Sequence, residues 1–592
     1  MLSGLRIFAP PKFPVLSLDV RAQIPVAEVR ERSQFHLLVL HCLERFFNNE
    51  LISAEGDAKA RLLQVMYATT LPGMVAALFL SPVYHAPLPR PFWSQVSDHY
   101  FYVMYSLIAV GLMSIFAWDL FYPDLADVLV LTPLPLRDGS LFRARIVASG
   151  IFIGLFVTGA GALGTVFYPL LTEPPDVARH LFAHLVAILT SGTFAALFFL
   201  SLQGTLMAIL GQRFFRSIAP FLQCISTMVL LTALMLFPVS SRYLETLLTG
   251  SAARFFPPFW FLGVYESILG GSSAKTLFRE LANTGYLAVG VAAVVAVIAY
   301  PLAYRRRMRF LVEGSDRLNT RNPIALSTRR LLHATLLRNP VQRGIYHFIS
   351  YSLLRTQRHR VYLAMYAGVG LAILTACTVL LHLSHGHIRV VLSPFGLRAA
   401  VPIAAFWTIA GLRTAFLSST QKSAGWIFRV ILGRPGLVQL ETSSLWILPW
   451  VLAFSLAIVV LTTFVGPVEL QNPRAVIARV LIASGLCLLL TDVLFLKVTS
   501  VPFTGEGRAP GKNLAWILLQ YFGLFPPLVV FTISFEPWLA INVWHGVTTV
   551  GIIAVAHLGM RKIQRQNAEY NANLIDLDDD EEEFPQRLGL RY

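Results

Sequence analysis

Residues 146–170 read IVASGIFIGLFVTGAGALGTVFYPL, a run without one Asp, Glu, Lys or Arg. About twenty apolar residues let a helix cross the hydrocarbon core of a bilayer. Working outward, runs of the same kind recur at 62–81, 99–118, 181–210, 217–238 and 282–303. A second set follows at 361–384, 398–417, 444–468, 475–500, 513–534 and 538–560. The run at 181–210 is longer than one crossing needs, which predicts a tilted or protruding helix. The chain has 592 residues, of which only 14% are charged, and a mean hydropathy of +0.63. A soluble globule cannot enclose that much apolar surface. The expected fold is therefore all-α: a polytopic membrane protein with about 12 transmembrane helices in two six-helix halves.

The formal net charge is +16. Its placement argues against nucleic acid as a partner, because Arg residues gather at the ends of apolar runs and not on a separate domain. Arg21, Arg30, Arg32, Arg45, Lys59 and Arg61 precede the first run, and Arg137, Arg143 and Arg145 follow the second. Arg305, Arg306, Arg307 and Arg309 follow the sixth, and Arg561, Lys562 and Arg565 follow the last. The positive-inside rule then puts both termini in the cytoplasm. Five segments are expected. Residues 1–61 form a cytoplasmic segment with an amphipathic interface helix, and 62–303 a first membrane half. A basic cytoplasmic linker covers 304–360, a second membrane half 361–560, and a cytoplasmic acidic tail 561–592. In FHLLVLHCLERFFNNELIS, Phe35, Leu38, Val39, Cys42, Leu43 and Phe46 recur at helical spacing, which favours a helix lying on the inner membrane surface over one packed on the cytoplasmic loops. Cys42, Cys224, Cys377 and Cys487 are too far apart for metal-ligand or redox spacing.

Searching for chemistry yields little. The chain has no G-x-x-x-x-G-K-[ST] loop, no H-E-x-x-H, no G-x-S-x-G and no C-x-x-C. GEGRAPGKN at 505–513 places Pro510 where a phosphate-cradling helix would start and has no Ser or Thr after its Lys. No catalytic, cofactor-binding or metal-binding residue is expected, and ATP would have to be hydrolysed by another polypeptide. Charges inside apolar runs are costly and so are candidate functional groups. Asp492, with Lys497 beyond it, is the best of these. Arg413, His545, His557 and Glu536 are weaker, being placed to snorkel or to be satisfied locally.

The most specific segment is DLFYPDLADVLVLTPLPLRDGSLFRARIVASG, residues 119–150. A short helical piece, DLADVLVL, leads into Thr132–Leu136, where two prolines favour an extended chain. Asp138 or Ser140 is expected to cap the next helix, which carries Arg143 and Arg145. A rigid amphipathic element tied to two spans can pass a push from a partner into the bundle. The pattern Asp127, Leu129, Leu131, Pro133, Leu134, Pro135, Leu136, then Leu141, Phe142 and Arg145, resembles permease subunits of ATP-binding cassette (ABC) exporters of the type 2 class. Phe35–Ile52 is similar to the interface helix of that family, and FFPPFWFLGVYES (Phe255–Ser267) resembles its extracellular re-entrant region.

The resemblance implies that Asp127, Leu131, Pro133, Leu134, Pro135, Leu136, Arg143 and Arg145 couple the bundle to a separate ABC ATPase subunit, itself a dimer. It also implies a bacterial cytoplasmic (inner) membrane. In the second half, KSAGWIFRVILGRPGLVQLE (422–441) lies at the corresponding joint. Trp426, Phe428 and Arg429 would contribute there, although the Leu-Pro-Leu pattern is missing. The pore would be completed as a homodimer or as a pseudo-dimer of the two halves. Two other classes remain open. An ion-coupled secondary transporter would need broken spans and charge deep in the membrane. A membrane-embedded lipid or glycosyl transferase would need carboxylates or His at one face. Asp98 and His99 are candidates for that role, as are Asp119, Asp124 and Asp127, but the two groups flank opposite ends of one span.

Overall fold

The computed structural model describes residues 34–47, 58–131, 133–134, 136, 139–313, 332–333, 337, 339–384, 387–417, 437–496, 502–503 and 514–578. Among these described residues, ten helices are long and apolar enough to cross a membrane. The first part of the chain contains α1 (Gln34–Phe47), α2 (Ala58–Tyr84), α3 (Phe92–Phe116), the short α4 (Leu125–Leu131) and α5 (Ser140–Thr172). It continues through α6 (Val177–Met235), the short α7 (Phe237–Arg242) and α8 (Leu244–Thr249), then α9 (Pro257–Gly270) and α10 (Thr276–Glu313). After α11 (Pro340–Arg355) and α12 (Gln357–Thr378) comes a hairpin of β1 (Val379–Ser384) and β2 (His387–Leu392). Then follow α13 (Pro394–Leu417), α14 (Leu437–Val465), the one-turn α15 (Val468–Gln471), α16 (Pro473–Leu494), α17 (Leu514–Ile541) and α18 (Val543–Asp578).

At 59 residues, α6 is far too long for one crossing. Gly211 breaks it, with φ 76° and ψ 161°, a backbone state that only glycine adopts without strain. The chain reverses there. A Cβ on Gly111 of α3 would lie 3.2 Å from Phe199 and 3.0 Å from Leu230, so residues well before and well after the break meet the same point of α3. Gln203 likewise donates to the Trp118 carbonyl (2.8 Å) and Gln223 to the Ile115 carbonyl (3.3 Å). The runs at 181–210 and 217–238 are thus the two arms of one helical hairpin.

Buried side chains form two large cores. One gathers residues between Leu38 and Tyr304, the other residues between Ile345 and Ile533. They meet where α12 packs along the second arm of α6. There Arg360 donates to the Arg216 carbonyl at 3.2 Å. Of the spans, α3 and α13 are the most enclosed and α18 the least. The short α9 is wedged against α10, α6 and α3. Gly263 allows that approach, since a Cβ there would come within 2.8 Å of the Phe278 carbonyl oxygen.

Several expectations need correction. The run 361–384 is not one helix: α12 stops at Thr378, and Val379–Ser384 pairs antiparallel with His387–Leu392. Hydropathy averaged over a run cannot separate a helix from a β-prone Val/Leu/Ile stretch, and here the alternate pairing wins. This hairpin is a small local exception in a fold that is all-α, as expected. The run 475–500 ends as helix at Leu494. The basic segment 304–360 contains helix, in keeping with its short helical patterns: α10 carries Arg305, Arg306, Arg307 and Arg309 to Glu313 and α11 covers Pro340–Arg355. The apolar face of α1 does not lie free on a bilayer. Leu38, Val39, Cys42 and Phe46 are buried against the protein, with the Phe46 ring 4.6 Å from that of Phe152.

Candidate functional site at the elbow after α3

Beyond Phe116 the chain leaves the helix, and its carbonyl groups lose their i+4 donors. Buried carbonyls need replacement partners. Three different helices supply them. Besides the two glutamines from α6, Tyr300 of α10 donates to the Phe121 carbonyl at 2.7 Å. Arg145 of α5 donates to that of Tyr122 at 2.7 Å, and Arg307 of α10 to that of Pro123 at 3.1 Å. The elbow is thereby keyed to α5, both arms of α6, and α10.

The helix α4 opens with a reciprocal cap. The Asp127 N–H donates to the Asp124 carboxylate at 2.8 Å, and the Asp124 N–H to the Asp127 carboxylate at 3.2 Å. This is a capping box with Asp in both side-chain roles. The two carboxylates then serve as anchors. Arg45 of α1 bridges both of them, and Arg145 reaches Asp127 at 3.1 Å. Asp127 is 2% exposed and Arg145 only 4%, so this is a buried clamp and not a solvated surface pair. The opposite face of α4 is open. Leu125, Leu129, Val130 and, beyond the helix, Leu134 are exposed, whereas Val128 and Leu131 point inward. A rigid, charge-locked base with an apolar outer face is well suited to bearing on another protein.

Several sequence candidates converge here. Asp127 and Arg145 belong to the clamp, Leu131 and the half-buried Leu136 to the packing beneath, and Pro133 and Leu134 to the outer face. Arg143 is exposed. Pro135 lies outside the described residues, as do Thr132 and Asp138. The stretch is bent, not extended: the Leu134 N–H bonds to the Leu131 carbonyl and the Leu136 N–H to that of Leu134. The helix α5 begins after Gly139 (φ 73°) without a side-chain cap, so the expected Ser140 cap does not form. Trp426, Phe428 and Arg429 lie outside the described residues, as does Lys497.

Asp492 is elsewhere. It sits two residues before the end of α16, not in mid-span, and it is engaged by His557, by Arg561 at 3.9 Å and through its backbone carbonyl by Gln564 at 2.9 Å. Glu536 faces Arg479 at 3.8 Å, Arg413 donates to the Tyr521 hydroxyl at 3.1 Å, and His545 stacks on Trp538 at 4.0 Å.

A second polar cluster occupies the other end of α3. Asp98 accepts two bonds from Arg90 (2.6 and 2.7 Å) and one from the Tyr84 hydroxyl (2.8 Å). His99 meets Glu266 of α9 at 2.6 Å and stacks on Tyr265 at 4.1 Å. Asp98 and His99 thus lie at the far end of α3 from Asp119, Asp124 and Asp127, as their positions along the run require. Sequence reasoning missed Arg45, Tyr300 and Arg307 at the elbow and Glu266 at the other end, and offered Asp124 only as a transferase carboxylate. The D-x-x-D capping pattern at 124–127 was the available signal for Asp124; nothing local marked the rest. Among the described residues no cluster of His, Cys, Asp and Glu has the geometry to hold a metal ion. No family model, curated sequence or solved structure matches this chain.

Proposed function

We propose that this chain is the membrane-spanning permease subunit of an ABC exporter, energised by ATP that a separate ATPase subunit hydrolyses. The observation that carries this reading is the elbow. Four exposed apolar side chains sit on a base fixed by donors from α1, α5, α6 and α10. A push on α4 would reach both arms of α6 and α10 without loss in a soft joint, and could bias the bundle between two arrangements. On this reading the chain crosses a bacterial inner membrane twelve times. Both arms of α6 count as crossings, as does α2, whose described apolar part is Thr69–Tyr84. The α4 end and both termini face the cytoplasm. In the family resembled here, a counterpart of α9 dips into the membrane from outside.

The test is recovery of a soluble ATPase with the tagged full-length chain. Leu129→Asp with Leu134→Asp places two charges on the exposed face and should abolish that recovery while leaving the bundle folded. Undiminished recovery would refute the assignment. A second reading, ion-coupled transport, is favoured by one observation, the buried His99–Glu266 pair. Uptake or efflux driven by an ion gradient in liposomes containing this chain alone would support it and count against the first.

A further inference from the structure

Beside the elbow, where the two cores meet, three arginines converge from three helices. Arg216 lies one turn into the second arm of α6, Arg307 is on α10 and Arg360 is at the start of α12. Arg360 touches the Arg216 backbone at 3.2 Å, and Arg307 holds the Pro123 carbonyl at 3.1 Å. Trp118 stacks on Phe215 with centroids 6.2 Å apart, which brings the neighbouring Asp119 to the same place.

Asp119 and Arg216 lie within electrostatic range of both Arg307 and Arg360. Asp124 and Arg145 also act on Arg307, but they belong to the α4 clamp and balance there. Among the described residues the junction therefore sets three guanidinium groups against one carboxylate, an excess of two positive charges. Like charges brought together at a protein's margin are destabilising unless an anion joins them.

Two further features mark this junction as incomplete. The Arg360 Nε is enclosed and has no acceptor. Gln212, one turn before Arg216 on the same face of the arm, is buried with both amide atoms unpartnered. Arg216, Arg360 and Asp119 are themselves only half-buried, so the junction is reachable from outside. Guanidinium forks match the oxygens of a phosphate group, and basic pockets between helices at the cytoplasmic face of a membrane hold anionic headgroups.

We propose that Arg216, Arg307 and Arg360, with Gln212, form a phosphate-binding site at the junction of the two cores. An anionic phospholipid headgroup or a free phosphate would supply the group. Bound there, it would bridge α6, α10 and α12 next to the elbow.

The experiment uses the full-length chain, delipidated in detergent. Native mass spectrometry after addition of phosphatidylglycerol or phosphatidylcholine reads lipid retention. Heat denaturation in sodium phosphate against sodium chloride of equal ionic strength reads free phosphate. Preferential retention of phosphatidylglycerol identifies a headgroup site, and stabilisation by phosphate over chloride identifies a site open to the free anion. Arg216→Gln with Arg360→Gln should weaken either effect by more than about tenfold, since two guanidinium groups and their charge-assisted hydrogen bonds are lost. Arg355→Gln, an exposed arginine on α11, should leave it unchanged. The proposal is overturned if the wild-type chain shows neither preference, a result that needs no variant to fold. It is equally overturned if the double variant is folded and binds as the wild type does.

Discussion

Replacing Asp127 by Asn isolates the charge of the clamp from its shape. Asn still offers an oxygen to the Asp124 N–H, so the cap of α4 survives. What is lost is the carboxylate 3.1 Å from Arg145, whose side chain is 5% exposed and which then keeps the neutral Tyr122 carbonyl and the Cys42 sulfur but no counter-charge from Asp127. Arg45 suffers less, being 31% exposed and retaining Asp124. Stranding one buried charge costs about 3–5 kcal/mol. Adding Arg145→Gln removes the stranded charge, so the double variant should recover about 1–3 kcal/mol of that loss. Arg145→Gln alone should cost less than Asp127→Asn, because Asp127 keeps Arg45 and the Asp124 N–H. Unfolding in mixed dodecyl maltoside and dodecyl sulfate micelles, followed by tryptophan fluorescence, measures all three. A buried clamp is refuted if Asp127→Asn stays within about 0.5 kcal/mol of wild type, the range of inert surface changes. It is refuted too if the two single effects simply add, since residues of one clamp must couple.

Other outcomes follow from the same geometry. Gly211→Ala forces a side chain into a glycine-only backbone state and should cost about 1–3 kcal/mol. Gly150→Ala, at an open position inside α5, should instead stabilise by up to about 1 kcal/mol. Both are read by the same micelle titration. Gly263→Ala would drive a methyl group to 2.6 Å from Leu281 Cβ and should lift α9 off α10, at a cost of about 1–3 kcal/mol. A disulfide engineered between α9 and α10 should then form more slowly. Among the described residues, Arg90→Met leaves Asp98 with only the Tyr84 hydroxyl as a close donor, and should destabilise the Phe92 end of α3 more than Arg90→Met combined with Asp98→Asn. Protease accessibility of the 85–91 joint reports it.

The apolar runs marked the spans well, because crossing a bilayer is decided residue by residue from local composition and length. Every run from 62–81 to 538–560 coincides at least in part with a helix, and the polar break near 211 separates the two arms of α6. Where several folds share one composition, local reading failed. At 361–384 an apolar helix passes into a strand whose partner, His387–Leu392, lies outside that run. At α1 the amphipathic pattern showed an apolar face, but whether lipid or α5 would cover it depends on where the rest of the chain goes.

The candidate site was legible in kind and not in mechanism. Asp127 and Arg145 stood out from the pattern around Pro133 and Pro135, and both are in the clamp. Their partners could not be read from it. Arg45 is 82 residues from Asp127, Arg307 is 184 residues from Pro123, and His99 is 167 from Glu266. Composition and hydropathy alone therefore determined that this is a helical protein of the membrane, and roughly where its spans lie, since burial in lipid is a property each segment carries by itself. Which carbonyl meets which donor, which carboxylate is stranded or paired, and which arginines crowd together are settled only by the tertiary structure. Hydrogen bonds and charges act over a few ångströms of space and are blind to separation along the chain.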